Sequence, residues 1–91
     1  MIKINCFFQA KEGLYDRALE AAIALVAKSQ NHEGCIAYDA FESATRPDVF
    51  SIIETWASQE ALDKHSATAE FAEYVGIMQE CGELSVEIMQ K

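Results

Sequence analysis

From residue 2 to residue 9 the chain reads Ile-Lys-Ile-Asn-Cys-Phe-Phe-Gln, a weak alternation rich in Ile and Phe. This predicts a first strand, with Ile2, Ile4, Cys6 and Phe8 on one face and Lys3, Asn5, Phe7 and Gln9 on the other. Asn is depleted in strands, so Asn5 marks either an edge position or bulge, or a group held for a site. After a turn at 10–13, Tyr15, Leu19, Ala22, Ile23 and Val26 fall at offsets of 0, 4, 7, 8 and 11. That is one stripe of an amphipathic helix from about Leu14 to Ser29. Gly34 suits a left-handed exit from it. His32 in the same polar turn reads as a solvated residue near a helix C-terminus.

Residues 35–42 predict a second strand. Residues 43–48, with Pro47 and small polar neighbours, form a loop, and 49–57 form a third strand. On that strand Phe50, Ile52, Glu54 and Trp56 share a face, while Val49, Ser51, Ile53 and Thr55 share the other. Ser58 suits an N-cap for a short helix, with Glu60 and Lys64 four apart on it. The pattern pauses at His65-Ser66-Ala67, where Ser66 or Thr68 can cap a further helix. Phe71, Tyr74, Val75 and Met78 then mark its core stripe, and Gly82 ends it. Leu84, Val86 and Ile88 alternate with Ser85, Glu87 and Met89 as a last strand.

Strand, helix, strand, strand, helix, strand is the split βαβ order. The expected fold is therefore α+β and ferredoxin-like, a single domain over residues 1–91 with a four-stranded antiparallel sheet. Both helices would lie on one face of that sheet. The other face, bearing Ile, Val and Phe, would need a cover. A second copy across a two-fold axis is the economical one, giving a homodimer through the sheet face.

Composition agrees with a shared core. A domain of 91 residues buries a small fraction of its surface, yet 51% of this chain is hydrophobic, with nine aromatic side chains. A net charge of -8, with seven basic residues scattered among fifteen acidic ones, argues against nucleic acid. Cys6, Cys35 and Cys81 are odd in number and far apart, which fits neither a disulfide framework nor a zinc site. No apolar run reaches membrane-spanning length and none opens a signal peptide, so a cytoplasmic protein is expected.

Three pieces occur in order: Gly34-Cys35-Ile36-Ala37-Tyr38, then Glu54-Thr55-Trp56, then Glu60-Ala61-Leu62 followed by His65. Together they resemble the antibiotic biosynthesis monooxygenase family, whose pattern is roughly G-C-x-x-Y, E-x-W and E-A-L-x-x-H. The resemblance implies a dimeric α+β barrel with a ligand cavity between sheet and helices. It also implies membership among cofactor-free monooxygenases of quinols, phenols and polyketide aromatics, isomerases of a phosphorylated sugar, and small proteins of unassigned role. Family members often carry a second histidine in a T-P-H-F-like run, and here Thr68-Ala69-Glu70-Phe71 puts Glu70 in its place. The haem-degrading branch needs a histidine on the last helix, and none lies between Thr68 and Gly82, which disfavours haem.

Chemistry of this kind needs an apolar pocket, a base, and donors for a developing phenolate or superoxide, but no metal or flavin. The expected catalytic set is His65 as base or proton shuttle, Trp56 to stack on a flat ring, and Asn5 to hydrogen-bond a substrate oxygen. Each also has a plain structural reading: Trp56 as core, His65 as a capping or surface residue, Asn5 as an edge group. Glu54 is either a buried carboxyl with a raised pKa or a salt-bridged edge group. Phe7, Tyr38, Phe50, Glu54, Phe71, Tyr74 and Met78 are the expected substrate-binding residues, with no metal ligands. The leading reading is a monooxygenase of a small aromatic or quinol. An isomerase would need a basic anchor for phosphate, and a non-catalytic binder would have polar groups that do not converge.

Overall fold

The computed structural model describes residues 1–90. Its elements are β1 (Ile2–Ala10), α1 (Tyr15–Ser29), β2 (Cys35–Glu42), β3 (Val49–Trp56), α2 (Gln59–Ser66), α3 (Ala69–Cys81) and β4 (Gly82–Gln90). The four strands form one antiparallel sheet in the order β2-β3-β1-β4. This is the ferredoxin-like α+β arrangement, with the second helical segment broken in two.

That break has a local cause. The Ser58 hydroxyl accepts from the Ala61 N–H and starts α2, and the Thr68 hydroxyl accepts from the Phe71 N–H and starts α3. Each satisfies an N–H that a helix start would otherwise leave unpaired. Thr68 also donates to the His65 carbonyl, joining the end of one helix to the start of the next.

Alternation sorts the sheet into two faces. Ile2, Ile4, Phe8 and Ala10 of β1, with Phe50, Ile52, Glu54 and Trp56 of β3, are buried on the helix side. A register shift between Cys35 and Ala37 makes Ile36 an extra residue on β2. It changes the parity of that strand, so that Cys35 and Tyr38 both pack on the core side. β1 is an interior strand paired along its length to β3 and β4, so Asn5 occupies neither an edge nor a bulge.

The stripe expected on α1 is rotated. Ala18, Ala21, Ala22, Leu25 and Ser29 are the buried residues, while Ile23 is 56% exposed. Small side chains on the inner face let this helix lie close to the sheet, leaving the larger Leu19 and Val26 at the margins of the core. On α3 the fully buried positions are Met78 and Cys81.

Two glycines fix the connections. Gly34 has φ +80, and a Cβ there would overlap the Cβ of Ala61 on α2. Gly82 is extended, but a Cβ on it would collide with the Gln9 carbonyl and the Ala10 Cα across the sheet. The turn carrying His32 and the helix carrying His65 are thereby pressed together.

A cavity with a buried acid–base wall

Between the sheet and the helices lies a cavity of ≈ 250 Å³. Its floor is Ile4, Cys6, Ile52 and Glu54, its walls include Leu25, Tyr38, Leu62, His65, Phe71, Val75 and Met78, and Leu84, Val86 and Ile88 of β4 form one side. Gln59, Asp63 and Ser66 of α2 also border it. Among the described residues no Lys or Arg contributes to the lining. Val86 and Ile88 are 55% and 60% exposed, so the cavity opens along β4.

His65 is 1% exposed and sits in an aromatic cage. Its ring lies 4.4 Å from Trp56, 5.0 Å from Phe71 and 5.4 Å from Tyr38, centroid to centroid. One ring nitrogen, Nδ1, is 2.9 Å from Nδ1 of His32, and Nε2 of His32 is 2.9 Å from Glu70 Oε2. The other, Nε2 of His65, is buried with no partner among the described residues. Burial pushes the His65 pKa down to about 4, the His32 charge adds to this, and the Glu70 carboxylate opposes it. The ring is therefore neutral near pH 7. The hydrogen bond from His32 holds the Glu70 carboxyl below its usual range.

Glu54 is a second buried group, 4% exposed. The Trp56 indole N–H donates to its Oε1 at 2.8 Å and the Cys6 thiol to its Oε2 at 3.4 Å. Burial raises its pKa, and these donors partly offset the rise by favouring the ionised form. Burial and the Glu54 charge push the Tyr38 phenol and the Cys6 thiol well up.

Of the expected site residues, His65, Glu54, Tyr38, Phe71 and Met78 meet at this cavity. Trp56 is fully buried behind His65 and takes no part in the lining, so the core reading describes it. Its role is to brace the imidazole and to hold Glu54, since no ligand face of the indole is free. For Glu54 the buried-carboxyl reading describes the structure.

Asn5 and Phe7 are on the opposite face of the sheet, beside Ser85 and Glu87. Their odd positions in β1 alternate away from Ile4 and Cys6, so neither reaches the cavity. Phe7 packs there under the Arg46 guanidinium, 4.8 Å from the ring centre. Phe50 is on the helix side but stacks on Phe8 at 4.8 Å, away from the lining. Tyr74 faces a separate groove with Arg17 and Ala21.

Two members of the site were not expected. His32 is only 16% exposed at its side chain, where a solvated turn residue was read, and Glu70 is its ion-pair partner. They are 38 residues apart and meet only because Gly34 and the Thr68 cap bring two chain turns together. Among the described residues no cluster of His, Cys, Asp and Glu is arranged to hold a metal ion. The His32 and His65 Nδ1 atoms face each other at 2.9 Å, within hydrogen-bond distance.

Fold and site together define a ferredoxin-like α+β domain with an apolar cavity and buried acid–base groups in its lining. The chain belongs to the antibiotic biosynthesis monooxygenase family, whose model matches residues 1–77. YcnE of Bacillus subtilis, named as a candidate monooxygenase, is 31% identical over 75 residues, covering 82% of this chain and 79% of its own. A Bacteroides thetaiotaomicron protein, described as of unknown function and a possible oxidoreductase, is 50% identical with a TM-score of 0.96, over 99% of this chain and 96% of that one. The solved structure of an antibiotic biosynthesis monooxygenase is 30% identical with a TM-score of 0.91, over 100% and 98% of the two chains.

Proposed function

We propose that this protein is a cofactor-independent monooxygenase of a small hydroquinone or related phenol. The observation that carries the reading is His65, a neutral imidazole at the wall of an apolar cavity with one nitrogen unpartnered. A ~150 Å³ apolar cavity accommodates benzene, so the space here suits one or two rings and not a larger fused system.

His65 Nε2 takes the phenolic proton of the bound hydroquinone. The phenolate gives one electron to dioxygen, and the resulting semiquinone and superoxide combine at a ring carbon. Return of the proton yields a hydroperoxide on that carbon. Loss of water across the C–H and O–O bonds then leaves a carbonyl. Overall, hydroquinone and dioxygen give a hydroxyquinone and water, so the substrate supplies every electron.

The same lining speaks against an isomerase of a phosphorylated sugar, because among the described residues it holds no Lys or Arg as an anchor. The presence of His65, Glu54 and Tyr38 together in one lining speaks against a purely passive binder. A second copy covers the outer sheet face, where Phe41 and Ile53 are 53% and 48% exposed. The three free cysteines suit a reducing cytoplasm.

Oxygen uptake with one- and two-ring hydroquinones, without added metal or flavin, tests the proposal. One dioxygen consumed per substrate is expected, with the rate falling by about a hundredfold or more in His65→Ala. No turnover above the uncatalysed rate on any member of the panel, or full activity of His65→Ala, overturns it.

A further inference from the structure

The hydrogen-bonded row Glu70–His32–His65 runs from the protein surface to the cavity wall, with both links at 2.9 Å. An ionised carboxylate only accepts, so His32 donates from Nε2 to Glu70. A neutral His32 then has a bare Nδ1, which only accepts. The proton in the link between the rings therefore belongs to His65 Nδ1, and His65 Nε2 is left as a bare lone pair. The second arrangement puts a cation on His32, which donates from both nitrogens; His65 then accepts at Nδ1 and carries its proton on Nε2.

We propose that Glu70, His32 and His65 form a proton relay that shifts positive charge between the cavity wall and the surface. The two arrangements are its end states. When a substrate hydroxyl gives a proton to His65 Nε2, the His65 Nδ1 proton crosses to His32 Nδ1. One N–H bond forms and one breaks on His65, which stays neutral throughout. The charge comes to rest on His32 against Glu70, where water reaches both side chains. Reversal hands the proton back from His65 Nε2 to an oxygen of the intermediate.

The relay answers a difficulty in the site. Burial makes His65 alone a weak base, because a cation on that ring has lost its water. The His32 side chain still reaches the surface, at 16% exposed, and lies 2.9 Å from the Glu70 carboxylate, so a positive charge placed there has an opposite partner that the His65 ring lacks. Other titratable groups around the pair are Lys28 of α1 near Glu70, Tyr38 of β2, Glu54 of β3, and Asp63 of His65's own helix. None of these is hydrogen-bonded to either ring among the described residues.

The inference deepens the proposed activity and rests on it for its catalytic use, but its protonation pattern is testable without turnover. Side-chain ¹⁵N spectra of the full chain near neutral pH should show His65 protonated at Nδ1 and His32 at Nε2. In Glu70→Gln the midpoint for protonating the pair should fall by about one pH unit, a tenfold loss of proton affinity. The same variant should lower kcat about tenfold with KM unchanged, and His32→Ala should do so too. His65 found protonated at Nε2 in the neutral pair, or an unshifted midpoint in Glu70→Gln, overturns the relay. If the spectra behave as stated and no hydroquinone is oxidised, the relay stands and the monooxygenase reading falls. If oxygen is consumed and Glu70→Gln is kinetically silent, the relay falls and the activity stands.

Discussion

Replacing Gly34 by Ala should be among the most damaging single-methyl changes in the chain. Two separate strains add there. The residue has φ +80, which costs an L-residue roughly 1–2 kcal/mol. The new Cβ would also overlap the Ala61 Cβ, while its next neighbours, Ala57 Cβ and Ala61 Cα, are at an ordinary 3.8 Å. Overpacking of this kind costs about 1–3 kcal/mol. The total, about 2–5 kcal/mol, is a large part of the roughly 5–15 kcal/mol that holds a domain folded.

Urea denaturation at fixed protein concentration measures this directly, and a double-mutant cycle separates the two strains. Ala61→Gly alone should cost about 1 kcal/mol, the penalty of Gly inside a helix. Combined with Gly34→Ala it removes the collision but leaves the positive φ, so about 1–3 kcal/mol should be recovered as coupling. A loss below about 1 kcal/mol in Gly34→Ala, or no coupling to Ala61, would show that α2 is not pinned against this turn. Because α2 carries His65 and the turn carries His32, Gly34→Ala should also weaken the contact between the two rings.

The buried titratable groups should leave opposite marks on stability against pH. The folded pKa of Glu54 is raised, so between the ordinary value of 4.5 and the folded one the native state holds the extra proton, and stability falls as pH rises. Glu54→Gln keeps an acceptor for the Trp56 N–H and should abolish that fall in thermal melts from pH 4 upward; parallel curves for the two proteins would refute this. His65 is shifted down, so the unfolded chain binds the proton first, and stability should drop as pH falls from 6.5 to about 4. His65→Gln should lack this drop, and retaining it would assign the effect to another group. On the outer face, light scattering should give about double the 10.1 kDa chain mass for the wild type and a single-chain mass for Phe41→Lys/Ile53→Lys; an unchanged mass in the variant would remove that face as the interface.

Strand alternation, helical periodicity and capping residues carried the fold to within a residue or two of every element, and alternation grouped Glu54 with Trp56 and Ile52 correctly. It failed where distance along the chain hid proximity. Ile23 fits an amphipathic stripe as well as Leu25 does, and only the tight seating of Ala18, Ala21 and Ala22 against the sheet selects the inner face. Asn is unusual in a strand, which left Asn5 as an edge or bulge position or as a site group, but the same alternation that turns Ile4 and Cys6 to the helix side turns it to the outer face of an interior strand. There its Oδ1 is buried with no partner among the described residues, which the proposed dimer contact would have to satisfy. His32 and Glu70 carry no local signal of their partnership. One lies in the turn after a helix, the other in the first turn of one, and each has an ordinary role in its own segment.

That partnership changes the meaning of the one departure from the family pattern. A histidine at position 70 would place a third imidazole beside His32, and two neutral imidazoles in contact leave open which ring donates. A carboxylate removes the ambiguity, because it only accepts and so fixes the proton on His32 Nε2. The next constraint follows through the Nδ1–Nδ1 contact and leaves His65 Nε2 free to receive a proton. Glu70, read in the sequence as lost machinery, sets the tautomer of a base it does not touch. Its position in the first turn of α3 adds to this, since a negative charge there is favoured by the helix N-terminus and helps keep the carboxyl ionised.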